Sequence, residues 1–269
     1  MLQNGPLGDA SGEPRFDVSQ VDFDADTIDV QRAARVYRDV GFLVVRGLMK
    51  SYVEAMVTEV REAVALAHRE LPGAERGPYG LLTRSGGIFT DRGPDGPSDR
   101  HQLIVVPMST VSSPTMKRCA ADSRLLDTLG VLLEKDVNLV GMGQCMYKEA
   151  LHGNEAGLHQ DAIYPGGEGF RDIASTFTYL VPTPVERGCI WLVPYSQRDG
   201  LLRHEESGNR VGCIPLEACD FDRAVPLPGE AGDTLIWNAM LIHGSKGNAT
   251  DGPRPALVIR YGRRGSSAR

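Results

Sequence analysis

The sequence predicts a mainly β protein of the sandwich or barrel class, with flanking α-helices buttressing one face. Two textures lead there. After about residue 138, short apolar runs alternate with Gly- and Pro-rich turns, the pattern of many short strands. Before that point apolar residues recur at three- and four-residue spacing, the signature of amphipathic helices. With 269 residues, 41% of them apolar, the chain can bury a sizeable core as one unit.

Residues 1–16 are rich in Gly, Pro and acidic side chains and read as a flexible arm. That leaves 17–269 as a single domain. A helical pattern runs from about Thr27 to Val40, stopped by Gly41 and followed by a strand, Phe42–Val45. A second helix is expected between Tyr52 and Leu71, where Val53, Met56, Val57, Val60, Val64 and Ala67 share one face. Residues 72–100 turn polar, with Pro, Gly, Arg, Asp and Ser prominent, and read as a long loop. A third helix is expected over Asp122–Glu134. Strands follow at 138–147, 175–181, 189–193, 234–240 and 256–261.

The net charge of -6, with no basic stretch interleaved with aromatics, argues against nucleic-acid binding and gives at most a faint hint of a cationic substrate. Five cysteines at irregular spacing, with no CxxC pair, argue against a disulfide framework and a thiolate zinc site and fit a reducing cytoplasm. The N-terminus lacks the apolar core of a signal peptide. Apolar runs such as Leu103–Val106 are too short to span a bilayer. Oligomeric state is not legible.

The segment Leu158-His159-Gln160-Asp161 carries the chemistry. In an extended chain residues i and i+2 share a face, so His159 and Asp161 can offer an imidazole and a carboxylate to one point. Such a pair is common by chance. A third donor, His243, closes the apolar stretch that begins at Asp233. Two histidines and one carboxylate on one face of an octahedron leave three positions open, as in non-haem Fe(II) oxygenases. A closed zinc site would want a fourth ligand. Eleven residues beyond His243 comes Arg254, whose guanidinium near the mouth of a neighbouring strand can grip a carboxylate in bidentate fashion. Ser245, on the face of His243, can add a hydroxyl to the same carboxylate. Taken alone, Arg254 reads equally well as a surface cation after a loop.

These residues carry a family resemblance. Tyr37-Arg-Asp-Val-Gly-Phe-Leu-Val-Val-Arg-Gly47, Gln144-Cys-Met-Tyr-Lys148, the His159/Asp161 pair, Gly188-Cys-Ile-Trp-Leu-Val-Pro194, Gly232-Asp-Thr-Leu, His243-Gly-Ser245 and Arg254 together resemble the phytanoyl-CoA hydroxylase-like branch of the Fe(II)/2-oxoglutarate oxygenases. The resemblance implies a double-stranded β-helix (jelly-roll) core with helices on one side. It implies Fe(II) held by His159, Asp161 and His243, with 2-oxoglutarate and O2 as co-substrates. Arg254 and Ser245 would then bind the C5 carboxylate, and Gln144 matches a position beside co-substrate or substrate. One departure is Pro194-Tyr-Ser-Gln197, where the family usually has Pro-Gly-Ser-His; it concerns turn geometry. Asp161, replaced by a small residue in halogenating relatives, favours hydroxylation or a related oxidation (desaturation, ring closure) over halogenation. The expected activity is hydroxylation of an unactivated C–H bond of a small molecule, plausible in specialised-metabolite (antibiotic) biosynthesis. Ring closure, desaturation or epimerisation at the same iron is the alternative. A silent jelly-roll that only binds a ligand and a cupin oxygenase without 2-oxoglutarate are further readings; intact donors argue against the first, Arg254 and Ser245 against the second.

Other residues read ambiguously. His101, Arg84, Arg92 and Arg100 could face a pocket or solvent. Trp191, Tyr147 and Tyr164 could line a pocket or pack in the core. His152, His68 and His204 look structural or exposed, and the basic end at 260–269 reads as a frayed tail.

Overall fold

The computed structural model describes residues 16–91, 101–134, 136–151, 153–163, 173–207 and 210–263. The expected arm except Phe16, Arg92, Arg100, His152, Tyr164 and the last six residues of the tail lie outside them.

Asp29 caps the first helix, α1 (Val30–Val40), its carboxylate accepting from the N–H groups of Gln31 and Arg32 at 3.0 Å. The helix therefore starts three residues later than the periodicity predicts. Gly41, at φ +96°, ends it in the left-handed region, and a Cβ there would collide with Gln197 and Leu241. Next come α2 (Val53–Glu70), α3 (Pro114–Ala120) and α4 (Ser123–Leu132). The short α3, capped by Ser113 with Pro114 at its first position, escaped the sequence reading because its seven residues span too few turns to show a period.

Two sheets face each other. The larger has ten strands in the order β1 (Asp22–Asp24), β2 (Phe42–Arg46), β14 (Thr234–Asn238), β9 (Ile173–Tyr179), β16 (Arg254–Arg263), β7 (Val137–Lys148), β6 (His101–Val106), β5 (Ile88–Asp91), β4 (Gly80–Leu82) and β3 (Glu75–Gly77). All of its pairings are antiparallel except β1 with β2. The smaller runs β13 (Val225–Leu227), β10 (Ile190–Leu192), β15 (His243–Ser245), β8 (Ala156–His159). A two-stranded ribbon joins β11 (Glu205–Ser207) to β12 (Arg210–Cys213). The stretch expected as a long loop at 72–100 holds β3, β4 and β5 instead. Its strands are three or four residues long, too short to alternate visibly.

Strand periodicity sorts the side chains into two cores. Leu43, Val45, Leu257 and Ile259 face the helices and pack with Tyr37, Met56, Met116 and Leu129. Phe42, Val44, Phe177, Tyr179, Leu235, Trp237 and Ala256 face the smaller sheet and meet Ile190, Leu192 and Leu227. Each fully buried large side chain contributes roughly 1.5–3 kcal/mol, so both layers help fix the relative placement of the sheets. This is the expected jelly-roll-like arrangement with helices on one side, and the candidate site lies in the space between the sheets. All five cysteines are free thiols. Among the described residues no helix is long and apolar enough to cross a membrane.

Candidate metal centre

His159 ends β8 and His243 begins β15, and the two strands pair with these residues opposite one another. Their rings lie 4.2 Å apart, centre to centre. The sequence reading ran the apolar stretch from Asp233 as one strand to His243. The chain instead leaves the larger sheet after Asn238, turns, and enters the smaller sheet at His243. Gly244 permits the close approach of β8, for a Cβ there would lie 2.7 Å from the Ala156 carbonyl oxygen. Asp161 does not continue the extended chain. It opens a 3-10 turn (Asp161–Ile163) that swings its carboxylate towards His243.

The donor atoms of His159, Asp161 and His243 all lie within 4.8 Å of one another, the one such cluster among the described residues. His159 Nδ1 sits 2.8 Å from the Gly157 carbonyl and His243 Nδ1 3.0 Å from the Leu241 carbonyl, the positions for a donated N–H. That tautomer turns both Nε2 lone pairs to the centre, and His243 Nε2 lies 3.8 Å from Asp161 Oδ1. Asp161 Oδ2 accepts from the Ser175 hydroxyl at 2.5 Å and the Trp237 indole N–H at 3.3 Å. Arg260 Nη2 donates to Oδ1 at 3.1 Å.

Electrostatics put these groups in the states a cation requires. Burial, and then the nearby His243, push His159 down to about 4. Burial also lowers His243, although Asp161 opposes the shift. Burial alone would raise Asp161, but His243, then Arg260 and His159, and the Ser175 hydroxyl hold it at about 2. Two neutral imidazoles and an ionised carboxylate, bunched in a nearly dry space, fit a divalent metal ion.

Arg254 is the first residue of β16 and is buried, unlike the surface cation of the alternative reading. It is 2% exposed, stacked 5.3 Å from the Phe177 ring, and its Nε and Nη1 have no hydrogen-bond partner among the described residues. Burial pulls it down to about 10, so it stays charged at neutral pH. A buried cation with idle donors fits an anion. Ser245 is buried two residues beyond His243, paired with Ile190. Gln144 is exposed on β7 opposite Val258, on the face of that strand turned to the inter-sheet space.

Sequence reasoning missed several neighbours. Ser175, Trp237 and Arg260 hold Asp161 but stand on three separate strands, where no local spacing links them to the ligand pair. His204, read as structural or exposed, bonds the backbone of Gln160 between the two donors. Trp191 faces away from the site, since its strand neighbours Ile190 and Leu192 pair with Ser245 and His243; it packs on Phe221 under Lys246 instead. Tyr147 packs with the helix-side core, and His68 lies 3.8 Å from Glu149. His101 opens β6 exposed, and Arg84 lies 92% exposed near Glu70. In the departing Pro194-Tyr-Ser-Gln197 turn, Tyr195 adopts φ +66° and the Ser196 hydroxyl accepts from the Ile242 N–H, bracing the residue before His243. A cleft of about 200 Å³ lined by Gln197, Arg198, Gly200, Asn238 and Met240 lies beside this turn and includes none of the three donors.

The profile of the phytanoyl-CoA dioxygenase (PhyH) family matches residues 37–256. Phytanoyl-CoA dioxygenase domain-containing protein 1 of Rattus norvegicus is 26% identical over 46% of this chain and 44% of its own length. Ectoine dioxygenase of Sphingopyxis alaskensis is 27% identical over 55% and 54%. The chain thus spans about half the length of the curated relatives it matches. Among solved structures, the epimerase SnoN in complex with Fe3+, alpha ketoglutarate and nogalamycin RO superposes with a TM-score of 0.61 at 22% identity, covering 87% of this chain and 83% of that one. EctD from S. alaskensis with bound Fe gives 0.61 at 21% identity, covering 88% and 79%. These likenesses carry the fold. The profile spans His159, Asp161, His243, Ser245, Arg254 and Gln144 and most of the chain, and by it the chain belongs to the phytanoyl-CoA dioxygenase family.

Proposed function

We propose that this protein is an Fe(II)- and 2-oxoglutarate-dependent oxygenase that hydroxylates an unactivated C–H bond of a small molecule. His159, Asp161 and His243 are the metal ligands, Arg254 and Ser245 take the C5 carboxylate of 2-oxoglutarate, and Gln144 lies beside the co-substrate or the substrate. The observation that carries the reading is Arg254: a charged, 2% exposed guanidinium with idle donors, in the same inter-sheet space as a three-donor metal cluster. A metal site alone does not call for such a cation; a dicarboxylate co-substrate does.

Bound iron would supply the redox chemistry by which O2 is reduced at the expense of the oxoacid and a C–H bond is oxidised. The chain's own residues orient and insulate. Ser175, Trp237 and Arg260 fix Asp161, and the backbone carbonyls of Gly157 and Leu241 fix the imidazoles. The dry surroundings of Arg254 make its pairing with a carboxylate stronger than at the surface.

Relatives support the cofactors: EctD has been solved with 2-oxoglutarate and 5-hydroxyectoine, and SnoN with Fe3+ and alpha ketoglutarate. SnoN and the carbocyclase SnoK, both from nogalamycin biosynthesis, favour a role in specialised metabolism for this chain too. They also support a second reading, epimerisation or ring closure by the same residues, which product analysis separates from hydroxylation. Continuity of the larger sheet from β1 to β16 supports residues 17–269 as one catalytic domain, and five free thiols support a cytoplasmic setting.

The test is spectroscopic. Fe(II) and 2-oxoglutarate added to the metal-free protein without oxygen should give a weak visible metal-to-ligand charge-transfer band. His159→Ala should abolish it, and Arg254→Ala should raise the 2-oxoglutarate concentration needed at least tenfold. Absence of the band in the unaltered protein refutes the proposal.

A further inference from the structure

The chain has two tryptophans, and the fold sends them to opposite places. Trp191 faces away from the site, packed on Phe221 under Lys246. Trp237, on the face of β14 turned to the inter-sheet space, is 2% exposed and stands against two of the three metal donors. Its indole N–H reaches Asp161 Oδ2 at 3.3 Å, and its ring centre lies 4.7 Å from that of His243.

The ring is held in that place. Its strand is paired on both sides, Trp237 lying opposite Phe42 on β2 and Ser175 on β9. The Phe177 ring packs beside it, centres 6.1 Å apart. A large side chain in a close-packed interior has no room to swing away from its neighbours.

Chemistry then singles the indole out. It is the most electron-rich of the aromatic side chains, the reason it also binds cations best. Phe177, the ring next to it, is a plain benzene ring packed under Arg254. The Tyr179 ring lies beyond Phe177, its hydroxyl tied to the Leu227 carbonyl and the Ile190 N–H. A group held against a reacting centre has an effective concentration that no dissolved competitor matches. Such a site keeps its oxidising power from its own walls only while a substrate C–H bond is there to receive it.

We propose that Trp237 is a modification site: when O2 and 2-oxoglutarate are consumed with no substrate bound, its indole is hydroxylated in the substrate's place. The balance is that of the ordinary reaction. 2-Oxoglutarate loses its C1 carboxyl as CO2, and one oxygen atom of O2 completes the new carboxylate of succinate. The other enters an aryl C–H bond of Trp237, whose hydrogen ends on the new hydroxyl. Oxoacid and indole each give up two electrons, and O2 takes up all four. Trp237 is thus the place where turnover without substrate leaves its record. The proposal rests on the oxygenase reading above.

The experiment uses the whole protein with Fe(II), 2-oxoglutarate and O2 labelled with oxygen-18, without substrate, followed by proteolysis and mass mapping. The peptide bearing Trp237 should gain one labelled oxygen atom in step with the succinate formed, while the peptide bearing Trp191 stays unlabelled. Omission of 2-oxoglutarate, or His159→Ala, should abolish the label. A second measurement needs no turnover. In Trp191→Phe, whose indole emission comes from Trp237 alone, stoichiometric Co(II) should quench more than half of the fluorescence, and Zn(II), with its filled d shell, should not. Succinate formed without label, label mainly on another residue, oxygen drawn from water, or Trp237 emission indifferent to Co(II) each overturns the proposal. A charge-transfer band with no succinate formed overturns it as well, because turnover without substrate then does not occur. No band in the unaltered protein refutes the oxygenase reading itself, a distinct outcome.

Discussion

His204 Nε2 accepts a hydrogen bond from the backbone N–H of Gln160, 3.0 Å away, at the residue that separates His159 from Asp161. Its Nδ1 lies 2.9 Å from the Leu202 carbonyl, which fixes the neutral ring in this sense. The Gln160 side chain, fully buried, completes the arrangement. Its amide N–H groups go to the carbonyls of Gly200 and Met240 at 2.8 and 2.6 Å, and its carbonyl accepts from the Leu202 N–H at 2.8 Å. The segment 200–204, the turn bearing His159 and Asp161, and the stretch leading into His243 are thereby one hydrogen-bonded unit.

His204→Ala removes the acceptor and leaves a Gln160 N–H without its partner, so the turn that sets the His159–Asp161 separation loosens. Metal affinity should fall about 10- to 100-fold, the range found when groups behind a ligand are removed. Titration with Co(II), followed by its visible spectrum, measures this directly. An affinity unchanged within twofold would show that the clamp does not position the donors.

Gly244→Ala acts on the same geometry from the other strand. The added Cβ would stand 2.7 Å from the Ala156 carbonyl and 3.1 Å from that of Gly157, both backbone atoms with little room to move. Strand β8 must shift away from β15, parting the His159–His243 pair. The expected stability loss is about 1–3 kcal/mol, as for overpacked sites, with a disproportionate loss of metal binding. Chemical denaturation and metal titration of one preparation separate the two. Metal affinity retained alongside lowered stability would count against the argument.

The donors were legible in the sequence because each is a rare residue type at a fixed offset in a short motif. His159 and Asp161 are two apart, and Ser245 and Arg254 follow His243 at set distances. The helices and long strands were legible because α2 and β16 run long enough to show a period. Legibility ended where long-range pairing decides. Arg260 and Ser175 pair across β16 and β9, and Trp237 pairs with Ser175 across β14; residues so far apart in the chain meet only once the sheet has formed. The strand change between Asn238 and His243 was hidden because the intervening Ala-Met-Leu-Ile is as apolar as the strand before it.

The metal-free protein should lose stability in mild acid. The folded pKa of His159 is depressed to about 4 from 6.5, so the unfolded chain takes up that proton first as the pH falls. The stabilising contribution is whole above about 6.5 and is lost as the pH drops towards 4. His204 and His243, also lowered by burial, act in the same sense. Saturating divalent metal should move the acid midpoint lower, since protons and metal compete for the same nitrogens. Melting temperatures from pH 7.5 to 4, with and without Mn(II), provide the check; a flat profile between 6.5 and 4.5 would contradict the buried neutral imidazoles.

Arg254→Met should raise the stability of the protein in the absence of 2-oxoglutarate. The native side chain keeps a charge in a site 2% exposed, with Nε and Nη1 unpartnered and burial already pulling its pKa to about 10. Methionine is similar in length and flexible enough to fill the same space against Phe177. Exchange of a buried charge for a well-packed apolar chain is commonly worth about 1–4 kcal/mol in favour of the apolar form. The lost stacking on Phe177 offsets about 2 kcal/mol of that. The melting temperature of the metal-free protein should therefore rise by a few degrees. Ligand linkage reverses the order once the co-substrate is present: with Mn(II) and millimolar 2-oxoglutarate the native protein gains stability by mass action, and Arg254→Met should gain almost nothing further from the oxoacid. A variant less stable than the native protein without ligand would mean that Arg254 is held by the fold and not by an absent anion. A variant that still gains stability from 2-oxoglutarate would remove Arg254 from the co-substrate site.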